Sequence, residues 1–164
     1  MDVVNVELGE RAYPIYVGAG CLAELGTRLA ATRCGKRVAV VTNSTIANLY
    51  LEPTVAALAG AGFDPAIIEI PEGEEHKNLA SLAFVYDRLI DAGIDRGGAV
   101  IALGGGVVGD LAGFAAATYL RGVPCVQVPT TLLAQIDASI GGKTGINHAA
   151  GKNLLGAFKQ PRFV

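Results

Sequence analysis

Residues 99–110, AVIALGGGVVGD, constrain the fold more than any other stretch of the chain. Five apolar residues, typical of a strand buried on both faces, run directly into three glycines. The glycines predict a tight turn that opens a helix. A strand, a glycine turn and a helix N-terminus together bind phosphate well, because free N–H groups and the helix dipole favour an anion. Asp110 is expected in the first helical turn, where a carboxylate is stabilised and can accept hydrogen bonds from hydroxyl groups.

The spacing of Gly104, Gly106 and Gly109 matches the dinucleotide-binding fingerprint literally. That fingerprint also expects an acidic residue about 20 positions later to bind a ribose, and residues 123–131 contain none. The turn also follows a late strand, whereas the fingerprint normally follows the first strand of its unit. The match is therefore weak support for an ordinary dehydrogenase, and a glycine turn without a ligand remains an alternative.

Composition favours one packed α/β domain and excludes several classes of partner. The 164 residues are 51% hydrophobic and 17% charged, with 22 glycines. A net charge of -2 without a basic patch argues against nucleic acid. Between Arg96 and Arg121 the only charge is Asp110, but the glycines and this carboxylate argue against a membrane span. The chain opens without the pattern of a signal peptide, and its three cysteines lack Cys-x-x-Cys spacing, so a reduced, cytoplasmic protein is expected.

Strands and helices are predicted to alternate along the chain. The first two strands read as a hairpin, and the later alternation predicts a parallel sheet wound with helices, a Rossmann-like α/β fold over residues 1–164. Ser44 and Asn78 are expected as helix caps, Pro53 as a helix break and Gly93 as a helix end. The strands are predicted at 3–8, 13–17, 38–41, 66–70, 99–103 and 123–128, and the helices at 21–31, 44–59, 78–92 and 106–119. On the helix after Asn78, the predicted buried face is Leu79, Leu82, Ala83, Tyr86 and Ile90.

Polar groups cluster in two other segments. Residues 71–77, PEGEEHK, follow a predicted strand, where α/β sheets bind ligands, although a solvated connection fits equally well. Residues 129–156 contain Lys143 and Lys152 among glycines and apolar residues. A buried lysine needs an anion, so a small anionic substrate is the hypothesis, with solvated surface lysines as the alternative. A P-loop is excluded because position 137 would have to be glycine and is Asp137.

The two histidines, His76 and His148, lie far apart in the sequence and have no cysteine pair near them. This arrangement does not favour a complete metal site within the chain, and none of its residues is assigned as a metal ligand. His148 is expected to form a local hydrogen bond.

Taken together, these motifs resemble those of the 3-dehydroquinate synthases, sugar-phosphate cyclases of the shikimate pathway. The likeness covers nearly the whole chain. The residues that carry it are PEGEEHK at 71–77, GGGVVGDLAGFAAA at 104–117, Arg121-Gly122, VPTTLLAQ at 128–135, DASIGGKTGIN at 137–147 and GKN at 151–153. The segment from Asp137 to Gly145 favours this family over related cyclases and over dehydrogenases of the glycerol-1-phosphate type.

The resemblance implies NAD- and metal-dependent conversion of 3-deoxy-D-arabino-heptulosonate 7-phosphate into 3-dehydroquinate and phosphate. It also implies a role for each matching residue. The NAD-binding set is Gly105, Gly106, Val107, Gly109 and Asp110 for pyrophosphate and ribose, Thr130 and Thr131 beside them, Glu74 and Lys77 at the adenosine end, with Lys143 and Lys152 also near. The catalytic and substrate-binding set is Asp137, Lys143, Lys152, Asn153 and Arg121, the last reaching the neighbouring subunit of a homodimer.

In that family a second, helical domain supplies the ligands for zinc or cobalt. The 164 residues are therefore expected to form the NAD-binding domain only and to be inactive by themselves. Three other functions stay open: another sugar-phosphate cyclase, a glycerol-1-phosphate-type dehydrogenase, and a catalytically silent nucleotide-binding module. The reading frame after Val164 would discriminate among them.

Overall fold

The computed structural model describes all 164 residues as alternating strands and helices. The helices are α1 Leu25–Ala31, α2 Ser44–Gly60, α3 Leu79–Asp91 and α4 Gly106–Thr118. The strands are β1 Asp2–Val6, β2 Tyr13–Val17, β3 Arg37–Thr42, β4 Asp64–Glu69, β5 Ala99–Gly104, β6 Cys125–Pro129, β7 Lys143–His148 and β8 Gly151–Phe158. Short 3₁₀ turns lie at Gly9–Arg11, Cys21–Glu24, Glu74–His76 and Tyr119–Arg121, and a π-helical turn lies at Ala134–Ala138.

Four parallel strands in the order β4-β3-β5-β6 form the central sheet. Their alternating side chains fill two cores. Val38 and Val40 pack on one face with Leu29 and Leu58, from α1 and α2. The opposite face holds a cluster built from Ala39, Val41, Val100 and Ala102 of the sheet with Leu82, Val85 and Leu89 of α3 and Leu111 of α4. The predicted Rossmann-like α/β fold is confirmed.

The predicted N-terminal hairpin is also confirmed, since β1 pairs antiparallel with β2. Residues 162–164 join it to the sheet. The Arg162 amide donates to the Cys125 carbonyl at 2.7 Å, and the Tyr16 amide donates to the Val164 carbonyl at 2.8 Å. A second antiparallel hairpin, β7 with β8, was not predicted. It packs beside α4 and carries much of the candidate site.

Two expectations about α2 are wrong. The helix runs unbroken from Ser44 through Pro53 to Gly60. Pro53 removes only the hydrogen bond to the carbonyl of Leu49, a residue on the exposed side of the helix, where water can satisfy that carbonyl. The cap is Asn43 rather than Ser44, because the Asn43 side chain accepts from the Ile46 amide at 2.9 Å.

On α3 the predicted cap at Asn78 is confirmed by its side-chain bond to the Ser81 amide at 3.0 Å. The predicted buried face is partly wrong, since Leu79, Ala83 and Ile90 are exposed. Val85 and Leu89 are buried instead, together with Leu82. The buried face of α3 therefore runs along Leu82, Val85 and Leu89, which share one core with Leu111 of α4. No helix is both long and apolar enough to cross a bilayer.

Candidate functional site

The candidate site lies at the carboxyl edge of the parallel sheet. The chain leaves β3 for its neighbour β4 and then returns to β5 on the other side of β3. Ligands of such sheets bind at the edge where this reversal occurs. Gly104 at the end of β5 pairs with Pro129 at the end of β6, so the glycine turn adjoins Thr130. The Thr130 amide donates to the Gly104 carbonyl at 3.0 Å.

The glycine turn presents free donors. α4 begins at Gly106, and its first intrahelical bond runs from the Gly109 amide to the Gly105 carbonyl at 3.0 Å. The amides of Gly106, Val107 and Val108 therefore find no acceptor within the chain. The hydroxyl of Thr130 is buried without a hydrogen-bond partner. Three oriented N–H groups and an unpaired buried hydroxyl fit the oxygen atoms of a phosphate group.

Glycine is needed in this turn because neighbouring side chains lie too close for a Cβ atom, not because the backbone is left-handed. Neither Gly104 nor Gly105 nor Gly106 has a positive φ. A Cβ on Gly104 would lie 2.7 Å from Cβ of Val108, and one on Gly105 would lie 3.2 Å from Cγ2 of Thr131. The turn can therefore sit tightly between the first turn of α4 and the segment that follows β6.

Asp110 lies one residue beyond its expected position. It is the fifth residue of α4 and so belongs to the second turn, because the helix starts at the third glycine. Its stabilisation comes from Lys77 rather than from the helix dipole, since the Lys77 ammonium donates to Asp110 Oδ2 at 2.5 Å. Burial raises the pKa of the Asp110 carboxyl above its ordinary value, and the hydrogen bond from Lys77 opposes this rise.

Lys77 is the buried lysine of the site. Its side chain is only 5% exposed, and its ammonium also donates to Asn153 Oδ1 at 2.6 Å. It thereby connects the 71–77 loop, α4 and β8. Lys77 is therefore the lysine whose burial requires an anionic partner, whereas the side chains of Lys143 and Lys152 are 54% and 75% exposed.

A polar cavity of about 500 Å³ lies beside this buried pair, and it brings together four of the predicted site residues. Lys143 donates to Asp137 Oδ1 at 2.5 Å at its rim. Ala138, Thr144, Gly145 and Phe158 are also among the lining residues, with Asp110, Asp137, Lys143 and Asn153. The exposed pair of Asp137 and Lys143 and the carboxylate of Asp110 thus face a space large enough for a small polar molecule.

Other predicted residues lie outside the cavity wall. Lys152 points towards the 3₁₀ turn, with its Nζ 3.9 Å from Glu74 Oε1. Arg121 is exposed and follows the far end of α4, in a turn where it and Leu120 both have positive φ. Thr131 accepts from the Ala134 amide at 3.2 Å and so caps the helical segment after β6. The structure does not bring Arg121 to the other site residues of this chain.

Asn147 also belongs to this site, although its sequence context does not predict a role for it. Its amide nitrogen donates to Glu74 Oε1 at 2.8 Å, and its amide oxygen accepts from the Asn153 amide at 2.9 Å. An asparagine carries no motif of its own, so only its place within DASIGGKTGIN could have drawn attention to it. The predicted local bond of His148 is confirmed, because its Nδ1 accepts from the Ala150 amide at 3.1 Å.

The residues of the chain do not fit a metal ion. No group of three or more His, Cys, Asp or Glu side chains is arranged to hold one. The carboxylates of the site are instead engaged with lysines, Asp110 with Lys77 and Asp137 with Lys143.

Residues 67–164 match the family described as 3-dehydroquinate synthase N-terminal. The chain belongs to this family. A 3-dehydroquinate synthase of Geotalea uraniireducens (strain Rf4) is 58% identical over 164 residues, which are 100% of this chain and 46% of that protein. The chain thus spans less than half the length of this relative.

Two solved cyclases share the fold. A 2-deoxy-scyllo-inosose synthase, complexed with carbaglucose-6-phosphate, NAD⁺ and Co²⁺, is 28% identical with a TM-score of 0.91, over 99% of this chain and 45% of that one. The 2-epi-5-epi-valiolone synthase of Streptomyces hygroscopicus subsp. jinggangensis 5008, with NAD⁺ and Zn²⁺ bound, is 35% identical with a TM-score of 0.83, over 96% of this chain and 43% of that one.

Proposed function

We propose that this chain forms the NAD-binding part of a 3-dehydroquinate synthase. In that enzyme, 3-deoxy-D-arabino-heptulosonate 7-phosphate is converted to 3-dehydroquinate and phosphate. The observation that carries the proposal is the glycine turn, with three free N–H groups, beside a polar cavity lined by Asp110, Asp137, Lys143 and Asn153. The identity of 58% to a curated 3-dehydroquinate synthase, against 28% and 35% to the other cyclases, favours this substrate over theirs.

The residues of the turn would hold the pyrophosphate of NAD. The amides of Gly106, Val107 and Val108 would donate to it, and the unpaired hydroxyl of Thr130 would add a further donor. Asp110 accepts from Lys77 through Oδ2 alone, so Oδ1 is available for a ribose hydroxyl. Bound NAD would supply reversible hydride transfer. Two solved cyclases that share this fold contain NAD⁺, which supports the assignment.

The cavity would hold the sugar phosphate. Lys143 lies at its rim, paired with Asp137, and an incoming carboxylate or phosphate oxygen can replace that partner because the pair is exposed. Asn153 offers its amide nitrogen, since its amide oxygen is bonded to Lys77. Lys152 is more exposed and would reach the substrate from the side of Glu74. These groups would orient the substrate and neutralise its charge.

The remaining parts of the proposal concern the assembled enzyme. A divalent metal, zinc or cobalt, would be held by ligands outside these 164 residues, because the chain offers no ligand cluster. Arg121 would reach the site of the neighbouring subunit in a homodimer, which agrees with its distance from the cavity of its own chain. A biosynthetic enzyme of this kind would act in the cytoplasm.

Two substitutions in the full-length protein, one for the cofactor and one for the substrate, test the proposal. D110N should weaken NAD binding by roughly one to two orders of magnitude, since a charge-assisted hydrogen bond contributes about 1.5–3 kcal/mol. K152A should leave NAD affinity within about threefold while reducing turnover by about a hundredfold or more. Calorimetric titration with NAD and an assay of phosphate release measure the two effects. Unchanged NAD affinity in D110N would refute the cofactor assignment, and unchanged turnover in K152A would refute the substrate assignment.

A further inference from the structure

An irregularity in the second hairpin frees Asn147 from its strand partner. Ile146 pairs with Leu155 and His148 with Gly151, so the ladder of β7 and β8 is interrupted between them. The Asn147 backbone N–H donates instead to the Lys77 carbonyl at 2.8 Å. Bulges of this kind redirect a residue away from its sheet and are common beside functional sites.

Both polar atoms of the Asn147 side chain form hydrogen bonds. Its Nδ2 donates to Glu74 Oε1 at 2.8 Å, and its Oδ1 accepts from the Asn153 N–H at 2.9 Å. Asn153 has a φ of 55°, a left-handed conformation that costs free energy in a residue other than glycine. The bond that the Asn153 N–H donates to Asn147 supports this conformation, in which Asn153 Oδ1 accepts a hydrogen bond from the Lys77 ammonium at 2.6 Å.

We propose that Asn147 is a positioning residue for the dinucleotide. It holds the 3₁₀ turn of Glu74 at a fixed distance from Asn153. Lys77, which follows that turn, can then bond to both Asp110 and Asn153. The inference rests on the proposed function, in which Asp110, bonded to Lys77, accepts from a ribose hydroxyl of NAD. Asn147 itself acts through these groups and need not touch the cofactor.

Two substitutions of Asn147 differ in their effect on the contact with Glu74, and this difference can be tested. In N147D, the oxygen that replaces Nδ2 would face the Glu74 carboxylate at a distance where two negative charges repel. Protonation of one carboxyl at low pH would restore a hydrogen bond between them. In N147A the bond is lost at every pH. The other charged or titratable groups around this point are Glu75, His76, Lys77 with its partner Asp110, His148 and Lys152, and all are retained in both variants.

Calorimetric titration of the full-length protein with NAD should therefore separate the variants. At about pH 8, both N147D and N147A should bind NAD about tenfold or more weakly than wild type. At about pH 5.5, N147D should regain part of that loss, because two carboxyls at hydrogen-bond distance disfavour the doubly charged form and protonation of either restores the bond, whereas N147A should not. The matched control is N5A, at an exposed position of β1, which should leave NAD affinity within about twofold. N147D affinity that follows N147A at both pH values would overturn the inference.

Hydrogen exchange separates failure of this inference from failure of the proposed function. Without any ligand, the Asn153 amide should exchange about tenfold faster in N147A than in wild type, since its acceptor is gone. If wild type binds no NAD, the proposed function and the positioning role both fail. If wild type binds NAD and the Asn147 variants bind it equally well, the positioning role alone is refuted. Unchanged exchange at Asn153 would show that Asn147 does not hold this turn.

Discussion

At the scale of single residues, one buried ammonium group organises the candidate site. Lys77 is almost fully buried, and the cost of removing its charge from water is offset by Asp110 and Asn153. Truncating Asp110 or Asn153 would leave the ammonium with one hydrogen-bond acceptor fewer, so these three residues depend on one another. This interdependence explains why D110N, which keeps an acceptor for Lys77, is a better probe of NAD binding than a truncation.

Cys125 gives a pH-dependent prediction. Burial raises the pKa of its thiol to about 12 in the folded chain, whereas an unfolded thiol has a pKa of about 8.5. A raised folded pKa contributes stability that is complete below the unfolded pKa and is lost as pH rises towards the folded one. The stability advantage of wild type over C125A should therefore shrink by about 1.4 kcal/mol per pH unit above about pH 9.

Urea unfolding at about pH 8 and about pH 10 measures this change. V126A, at the neighbouring buried position, is the control because it removes no titratable group. Its difference from wild type should be the same at both pH values. A constant difference for C125A as well would mean that the thiol ionises as easily in the folded state as in the unfolded one.

Some residues of the site could be predicted from their neighbours in the sequence, and others could not. The glycine turn and the Asn78 cap follow from backbone requirements within a few residues, so the sequence reveals them. Asn43 and Ser44 are both good caps, and their order along the chain does not decide between them. Lys77 lies in a polar run that reads as solvated, and it is buried only because α4 and β8, distant in sequence, cover it. Burial by remote elements leaves no local pattern.

At the scale of elements, glycines set how closely α4 approaches its neighbours. Gly109 and Gly113 lie one turn apart on the face that meets β6 and β7. A Cβ on Gly113 would lie 2.5 Å from Cγ2 of Thr144, and one on Gly109 would lie 2.9 Å from Oε1 of Gln127. This close packing places the hairpin of β7 and β8 beside Asp110, which the cavity requires.

G113A should destabilise the chain by about 1–3 kcal/mol, because Thr144 belongs to a strand and cannot move away without disturbing the hairpin. G60A is the matched control, since Gly60 also lies in a helix but a Cβ there meets nothing within 4 Å. It should be neutral or stabilising by up to about 1 kcal/mol. Denaturant unfolding of both variants tests the pair. Equal effects would show that helix propensity, rather than contact with β7, accounts for Gly113.

Strands rich in branched apolar residues were predicted well, and polar or glycine-rich strands were not. β3 and β5 are short apolar runs bounded by turn residues, which is the pattern of buried parallel strands. β7 and β8 contain lysine, asparagine and several glycines, so they resemble a loop in sequence. The hairpin that they form packs on α4, where Gly113 leaves room for Thr144 of β7. Several residues that line the cavity could therefore be predicted from the sequence, but the cavity itself could not.

At the scale of the whole molecule, the segment after β6 exposes three large apolar side chains. Leu132, Leu133 and Ile136 are 72%, 65% and 66% exposed. Ile136 also lines an apolar cavity of about 550 Å³ between the N-terminal hairpin and the end of β6. Contiguous apolar surface of this kind favours association. The parallel sheet and its two cores could be predicted from periodicity, but this patch depends on how the segment after β6 turns and could not.

The 164-residue chain by itself is expected neither to retain a stoichiometric metal ion nor to release phosphate from the heptulosonate phosphate. A catalytic metal site takes about three protein ligands in fixed geometry, and no such group exists among these residues. Purified chain would be dialysed after addition of zinc or cobalt, analysed for bound metal, and then incubated with NAD and substrate. K152A of the same chain is the control for background hydrolysis. Sustained, metal-dependent phosphate release above that control would show that the ligands lie within these residues and that the site proposed here is incomplete.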